Sequence, residues 1–460
     1  MFSPSIATGN KNFIVTGTVN IFGNPRSGSS RLLQSAYPED EYIMVNKGLD
    51  WRKGDILALA PTNIDVRSYE TLTVKNYTAE TGQVFFETNV TKYHYGNRDS
   101  TGDRYSGVDM RGEVTLLTRD VMITADYGEN STTLAHPDPW PCRVLVADFF
   151  EPWDLVYRKG TIHWDNMAIY NCSQTDTENS ALKFDMAIGG QKIITNSAIS
   201  NGKAYGIDIK SSQQITIKDT TIYNFITYGL WTDGGGHITL ENNIMIGITP
   251  QIADHHPDLE WPLPCGGFDI AYAGGGMTLR NNTVSGVWHS GFRVYSHTCG
   301  DEDLAITDNV AHSVSGFGVI VLNGGGSCSE FSRFYGYKNH LATVHFGSAG
   351  HARVKDVVSI DSKYGITVIP GSFADVQYNT IYGSKDMENS DCPLSATGKC
   401  GCMSRYGVMA PSFGGSPIEM KNKLKIKKMF SAGGGWGGKS LFKYNKFIGF
   451  DSNKNACGGS

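Results

Sequence analysis

Charge is scarce in this 460-residue chain: Asp, Glu, Lys and Arg make up 18% of it, against about a quarter in an ordinary globular domain. The formal net charge of -5 gives no global electrostatic case for a nucleic-acid partner. Helical patterning is also missing, because no long stretch keeps a 3.6-residue apolar period without a Gly or β-branched interruption. No run of 18 apolar residues occurs, so no helical membrane span is expected within this chain. There is no C-x-x-C pair and no H-E-x-x-H, and Cys400 and Cys402 stand too close together for the usual zinc spacing. The first residues, MFSPSIATGN, have neither the basic nor the apolar region of a secretory signal.

What remains is short, alternating and turn-rich. Gly contributes 54 residues, and aromatic residues, at 11%, weigh against disorder. Runs such as NFIVTGTVNIFG, QITIKDTTIYNF, HITLENNIMIG and ARVKDVVSI carry the Val, Ile, Thr and aromatic content of half-buried strands. Many of these runs close on Asn or Asp, at Asn196, Asp219, Asn242, Asn281, Asp308, Asp356 and Asn379. The spacings are 23, 23, 39, 27, 48 and 23 residues. A recurring unit near 23 residues is one coil of a β-solenoid, with Asn and Asp at the bends because they tolerate left-handed backbone. The spacing of 39 implies an insertion at roughly 249–268. The expectation is therefore an all-β chain whose residues 126–460 form a right-handed parallel β-helix, preceded by a separate β domain over 1–125. Asn196, Asp219 and Asn242 should stack at one corner.

Nine cysteines and five N-x-S/T sequons, at Asn76, Asn89, Asn130, Asn171 and Asn281, point to an oxidising, extracellular or cell-surface setting. The preferred local disulfides are Cys299 with Cys328, and Cys392 with Cys400 or Cys402. The odd cysteine count leaves one thiol over.

The runs TGTVNIFGNPR, VNKGLDWRKGDILALAPT, TKYHYG and GVDMRGEVTLLTRDVMI, between Gly17 and Asp126, resemble the C-terminal part of the glycine-rich extracellular domain that precedes a β-helix in the fibrocystin family. The later segment VAHSVSGFGVIVLNGGGSCSEFSRFYGYKNH is similar to the β-helix that follows it. The resemblance implies a module of a longer extracellular polypeptide. Cell-surface hyaluronidases share the architecture, so it also implies acidic-polysaccharide cleavage as an alternative activity. The family's glycine-rich domain normally begins well before NFIVTGTVNIFG. The final FKYNKFIGFDSNKNACGGS alternates like a further coil, so the natural chain is expected to extend past both ends.

Three groups are candidate sites. His94, Asp109, Arg111 and Glu113 are the catalytic candidates if the chain is an enzyme. The last three alternate and would share one strand face, where two carboxylates flanking a cation suit sugar binding or acid–base work. The insertion carries His255, His256 and Asp258, weak candidates for a metal site. Lys421, Lys423, Lys425 and Lys427 alternate, so a strand would present them as one basic stripe for an acidic glycan, or as a lysine-guarded edge. Two aromatic groups, Trp140/Trp153/Trp164 and Trp261/Trp288, suit sugar stacking or core packing. No cofactor is expected, with Ca2+ the one ion to consider. The reading is a non-catalytic structural or adhesive module whose partners are cell-surface or matrix glycans or other extracellular proteins. An acidic-polysaccharide enzyme and a glycan-binding module without turnover are the alternatives.

Overall fold

The computed structural model describes residues 11–96, 105–125, 142–174, 179–250, 265–272, 276–300, 305–322, 328–348, 350–370, 373–383, 406–409 and 439–448. Among them every regular element is a strand. Among the described residues no helix is long and apolar enough to cross a membrane.

Most strands stack in parallel as a β-helix with three faces. Face one runs from Asn12–Val15 through Arg143–Ala147, Leu182–Asp185 and the first half of Ile207–Lys218 to Tyr406–Met409. Face two begins at Thr18–Phe22 and continues through Thr161–Asp165 and Lys192–Thr195. Face three begins at Val121–Thr124 and continues through Met167–Tyr170, Ala198–Ser200 and Thr221–Ile226. The strands alternate, so each face sends one set of side chains inward, where like residues stack from coil to coil. Leu182, Ile207, Leu230, Phe268 and Phe292 form one such column. Ile194, Ile217, Leu240 and Leu279 form another, and Ile199, Ile222, Met245, Val284 and Ala311 a third. All are buried in one continuous apolar core.

The corner between faces two and three is built from left-handed backbone. Asn166, Asn196, Asp219, Asn242, Asn281 and Asp308 occupy it in successive coils, with φ between 47° and 58°. The three residues expected to stack there do so, because Thr195 pairs with Lys218 and Lys218 with Glu241 immediately before them. The run that closes on Asn379 is displaced by one: Tyr378 holds the corner, with φ 56°. Asn379 takes the adjoining interior ladder position, which Asn243, Asn282 and Asn309 hold in earlier coils and Phe334 and Val357 in the coils between. In that ladder the Asn282 carboxamide oxygen accepts from the Asn243 backbone N–H at 3.0 Å and from its side chain at 2.9 Å. Asn282 Nδ2 donates to Leu240 O at 2.9 Å and to Asn309 Oδ1 at 3.0 Å. Each amide satisfies a bend in the coil beside it, inside the core where water cannot. Replacing Asn282 with Leu strands the Asn243 N–H and the Leu240 carbonyl. Equilibrium urea unfolding should show a loss of about 3 kcal/mol, and a loss well below about 1 kcal/mol would remove the ladder from the stabilising elements.

The expected boundary at residue 126 is corrected by the pairing. Asn12–Val15 and Thr18–Phe22 pair with solenoid strands 143–147 and 161–165. Val121–Thr124 pairs with 167–170. These three strands together make the first coil. The β domain is an insertion into that coil at the face two–face three corner, where Gly23 N–H donates to Asp165 O at 2.9 Å. The inserted domain is a six-stranded antiparallel sheet, from Ser29–Arg31 to Glu113–Leu116, with its own apolar core around Leu57, Val74, Val84 and Leu116. At its exit the buried Arg119 donates to Leu116 O and Thr118 O at 2.8 Å and to Asn196 O at 2.9 Å, which fastens the domain to the corner column.

The inserted sheet lies along face three. Thr71 Oγ1 meets the Tyr223 hydroxyl at 2.5 Å. Arg67 sits over the Trp288 ring at 4.7 Å, and Tyr105 packs edge-on against Tyr382. Gly247, with φ +75°, approaches so closely that a Cβ there would lie 2.9 Å from the Tyr69 ring.

Candidate functional site

The four residues expected to form one site are held in separate arrangements. His94 is buried, with Nδ1 2.7 Å from Ala60 O and Nε2 2.9 Å from Glu70 Oε1. Both ring nitrogens therefore face acceptors, the geometry of a ring that donates twice. Glu70 also accepts from Thr91 N–H at 2.8 Å, Thr91 Oγ1 at 2.6 Å and Lys92 N–H at 2.9 Å. Burial alone would raise its pKa, but these bonds and His94 hold it below the ordinary value. Asp109 and Arg111 form a local clip, with Arg111 Nη2 2.6 Å from Asp109 Oδ2 and Nε 2.9 Å from Oδ1. The two residues precede the strand Glu113–Leu116, so they do not share a strand face with Glu113 as the alternation suggested.

Glu113 points into the seam between domain and solenoid. Arg31 stands directly across the antiparallel pair, and its Nη1 lies 2.6 Å from Glu113 Oε1. From the solenoid side His312 Nε2 reaches Glu113 Oε2 at 3.2 Å. The His312 ring stacks flat on Tyr337, centroids 4.3 Å apart. Glu113, His312 and Tyr337 are all essentially excluded from water. Burial opposes the carboxylate's charge, yet Arg31 and His312 bring its pKa down to about 2. Burial beside Glu113 pushes the Tyr337 phenol well up. This ion network joins two parts of the chain across 199 residues. Arg31, His312 and Tyr337 carry no spacing signal that would have placed them beside Glu113.

The insertion residues His255, His256 and Asp258 and the stripe Lys421, Lys423, Lys425 and Lys427 lie outside the described residues. Among the described residues no group of three His, Cys, Asp or Glu side chains is arranged to hold a metal ion. The aromatic groups do not assemble: Trp164 is interior, Trp153 is almost fully exposed, and Trp288 lies under Arg67. Trp140 and Trp261 are outside the described residues.

Cys299 and Cys328 form the expected disulfide, and Cys142 pairs with Cys172, which the spacing had not singled out. Cys265 is a buried free thiol, its pKa pushed up to about 12 by burial. Cys392 and Cys400 lie outside the described residues, as does the sequon at Asn130. The sequon asparagines Asn76, Asn89 and Asn281 are exposed, and Asn171 is half-buried. Asn171 has a φ of 55° and lies next to the disulfide at Cys172.

A further group was missed in the sequence. The runs LKFD, IDIK, LWTD, FDIA and FRVY place Lys183, Asp208, Trp231, Asp269 and Arg293 in register on five consecutive strands of face one. The signal was available as a polar or aromatic residue recurring between two apolar ones.

Comparison with known proteins supports the architecture. Residues 156–327 match the family described as a right handed beta helix region. Fibrocystin of Canis lupus familiaris is 23% identical over 436 residues, covering 87% of this chain and 10% of the dog protein. Fibrocystin of Mus musculus is 24% identical over 367 residues, covering 77% of this chain and 8% of the mouse protein. The chain thus spans about a tenth of the length of these curated relatives. Among solved structures, the tailspike gp61 of Pseudomonas phage phi297 aligns over 87% of this chain and 68% of its own, at 11% identity and a TM-score of 0.22. The all-β fold, the parallel coils and the match to fibrocystin along most of the sequence together make this chain a fibrocystin-like right-handed β-helix protein.

Proposed function

We propose that the chain is a non-catalytic structural and adhesive module of a large secreted or cell-surface fibrocystin-like protein. The observation that carries this reading is the state of Glu113. It is wholly buried, ion-paired to Arg31 on one side and met by His312 Nε2 on the other. A catalytic carboxylate needs access to substrate and a pKa near the working pH, and Glu113, held at about 2, has neither. Glu70 is likewise saturated by hydrogen bonds, and Asp109 is occupied by Arg111. Glu113 is engaged in holding the inserted domain to the solenoid, and Glu70 and Asp109 in bonds within that domain. Two disulfides and three exposed sequon asparagines support an extracellular setting.

The test is incubation of protein secreted from eukaryotic cells with hyaluronan, pectin and heparin, followed by sizing of the polymers. The expected result is no shortening of any of them, with a mass decrease of the protein itself on enzymatic deglycosylation. Accumulation of oligosaccharides with time and protein concentration would overturn the reading in favour of an acidic-polysaccharide enzyme.

A further inference from the structure

The outward column of face one does not look like the exterior of a plain solenoid. Side chains standing out from a sheet normally reach water, yet Lys183, Asp208 and Asp269 are almost completely buried there. Lys183 Nζ lies 3.3 Å from Asp208 Oδ2. Trp231 follows on the next strand, partly exposed, with the Tyr205 ring 6.2 Å away and Tyr228 edge-on to Tyr205 at 5.3 Å. Asp269 comes next. Its Oδ2 takes Arg293 Nη1 at 3.1 Å, while Oδ1 makes no hydrogen bond among the described residues. The Tyr228 hydroxyl also stands beside this carboxylate. Burial accordingly raises the Asp269 pKa despite the neighbouring guanidinium. Arg293 spends one N–H on Asp269 and leaves its side chain 39% exposed. The arrangement is a partly exposed ring surface beside a planar multiple donor that a buried carboxylate holds in place, which is the make-up of a small-molecule recognition site.

The charge balance indicates which ligand suits it. Asp185, Asp208, Asp233 and Asp269 face Lys183, Lys210 and Arg293 on the same three-dimensional patch, in the registers Asp185–Lys210–Asp233 and Lys183–Asp208–Trp231–Asp269–Arg293. Farther along the face, burial lowers the pKa of His289 and takes that of His345 down to about 4, so neither adds charge at neutral pH. The surface has no surplus of cations to attract a polyanion. An uncharged sugar chain matches it: the C–H face of a pyranose fits over Trp231 and Tyr205, and its hydroxyls pair with the exposed part of the Arg293 guanidinium.

We propose that face one, from Lys183 to Arg293, is a binding surface for an uncharged pyranose glycan, with Trp231 and Tyr205 as the stacking platform, Arg293 as the hydrogen-bond donor and Asp269 positioning that guanidinium. The proposal rests on the adhesive reading above, and it concerns a surface remote from the Glu113 seam. Its failure and the failure of that reading are distinct, because loss of sugar binding leaves the absence of cleavage untouched.

The experiment is calorimetric titration of the full chain with cellohexaose, chitohexaose and mannohexaose, alongside hexasaccharides of hyaluronan and heparin. At least one uncharged hexamer should bind and change the tryptophan fluorescence. Trp231→Ala should weaken that binding about tenfold or more, the cost of losing a stacking surface and one large contact. Trp231→Phe, which keeps a ring and the packing, should retain most of it. Asp269→Asn should weaken it, and Thr239→Ala on face two should leave it unchanged. Three outcomes would overturn the proposal: no uncharged hexamer binds at millimolar concentration, only the acidic hexamers bind, or both Trp231 variants bind as the parent does. Should Trp231→Ala fail to fold, the Trp231→Phe and Asp269→Asn pair carries the decision.

Discussion

Glu113→Ala should destabilise the chain by about 4 kcal/mol, since removing one member of a buried ion network leaves the remaining charge unpaired. The charge left behind is the Arg31 guanidinium, which keeps the Arg111 and Asp109 carbonyl oxygens, the Asp109 clip and the Tyr337 hydroxyl beside it. His312 loses its partner at Nε2 and keeps only Ser313 and the Tyr337 ring. Both losses fall at the seam. The inserted domain should therefore become more sensitive to protease, while the coils beyond the seam keep their protection. Equilibrium urea unfolding and limited proteolysis check the two halves of this expectation. A destabilisation below about 1 kcal/mol, with unchanged cleavage, would mean that the apolar contacts of Tyr69, Tyr223 and Tyr382 hold the seam without the ion network.

The same residue fixes an acid dependence. The folded carboxyl titrates at about 2, below the roughly 4.3 of an unfolded Glu. The unfolded chain binds the proton first, so the contribution is fully present above about pH 4.5 and drains away as the pH falls toward 2. The difference corresponds to on the order of 3 kcal/mol. Other carboxyls with lowered pKa, such as Glu70 and Asp109, share the acid slope. The comparison that isolates Glu113 is the parent against Glu113→Gln, whose unfolding free energy should change less between pH 5 and pH 2 by that amount. Parallel curves would show that the Glu113 carboxyl titrates alike in the folded and unfolded chain.

The solenoid was legible where the backbone restricts the choice of side chain. A left-handed corner costs an ordinary residue about 1–2 kcal/mol, so Asn196, Asp219, Asn242, Asn281 and Asp308 recur visibly at the coil period. The signal thins after Asp308, where Asp356 still keeps it, because Arg333, Tyr378 and Tyr444 take the same corner. Tyr378 and Tyr444 stack their rings there, centroids 5.0 Å apart, a contact between coils that alternation within one strand cannot reveal. The first coil was unreadable for a related reason. Nothing local to Thr18–Phe22 names Thr161–Asp165 as its partner, so a strand run ahead of a long insertion reads as part of the inserted domain. The seam network has the same limit: Glu113 looked like a catalytic carboxylate beside Asp109 and Arg111 because its true partners, Arg31 and His312, are set by antiparallel register and by docking.

Lys192 is the second position where a large effect is expected, and no motif marks it. Its side chain is fully buried. The three N–H groups of the ammonium are shared among four backbone carbonyls within hydrogen-bonding distance, Ala187 O at 2.6 Å, Gly189 O at 2.7 Å, and Gly190 O and Gln213 O at 3.0 Å. These carbonyls belong to the bend between faces one and two and to the bend of the next coil, so a single cation closes both. Asp148 holds the same bend from outside, accepting from the backbone N–H groups of Gly160, Ile188 and Gly189 at 3.0, 3.0 and 2.7 Å. Lys192→Met keeps the length and apolar stem of the side chain but removes every donor. Several carbonyls would then be desolvated without a partner, at about 1–3 kcal/mol for each one that finds no water. The expected loss in urea unfolding is about 3 kcal/mol or more, whereas Lys192→Arg, too broad for the four-carbonyl ring yet still a donor, should lose less. Amide exchange should accelerate at Ile188, Gly189 and Gln213 in the Met variant and spare the distant coils around Val344. An Arg variant no more stable than the Met variant would show that the shape of the stem, and not the donated hydrogen bonds, stabilises the bend.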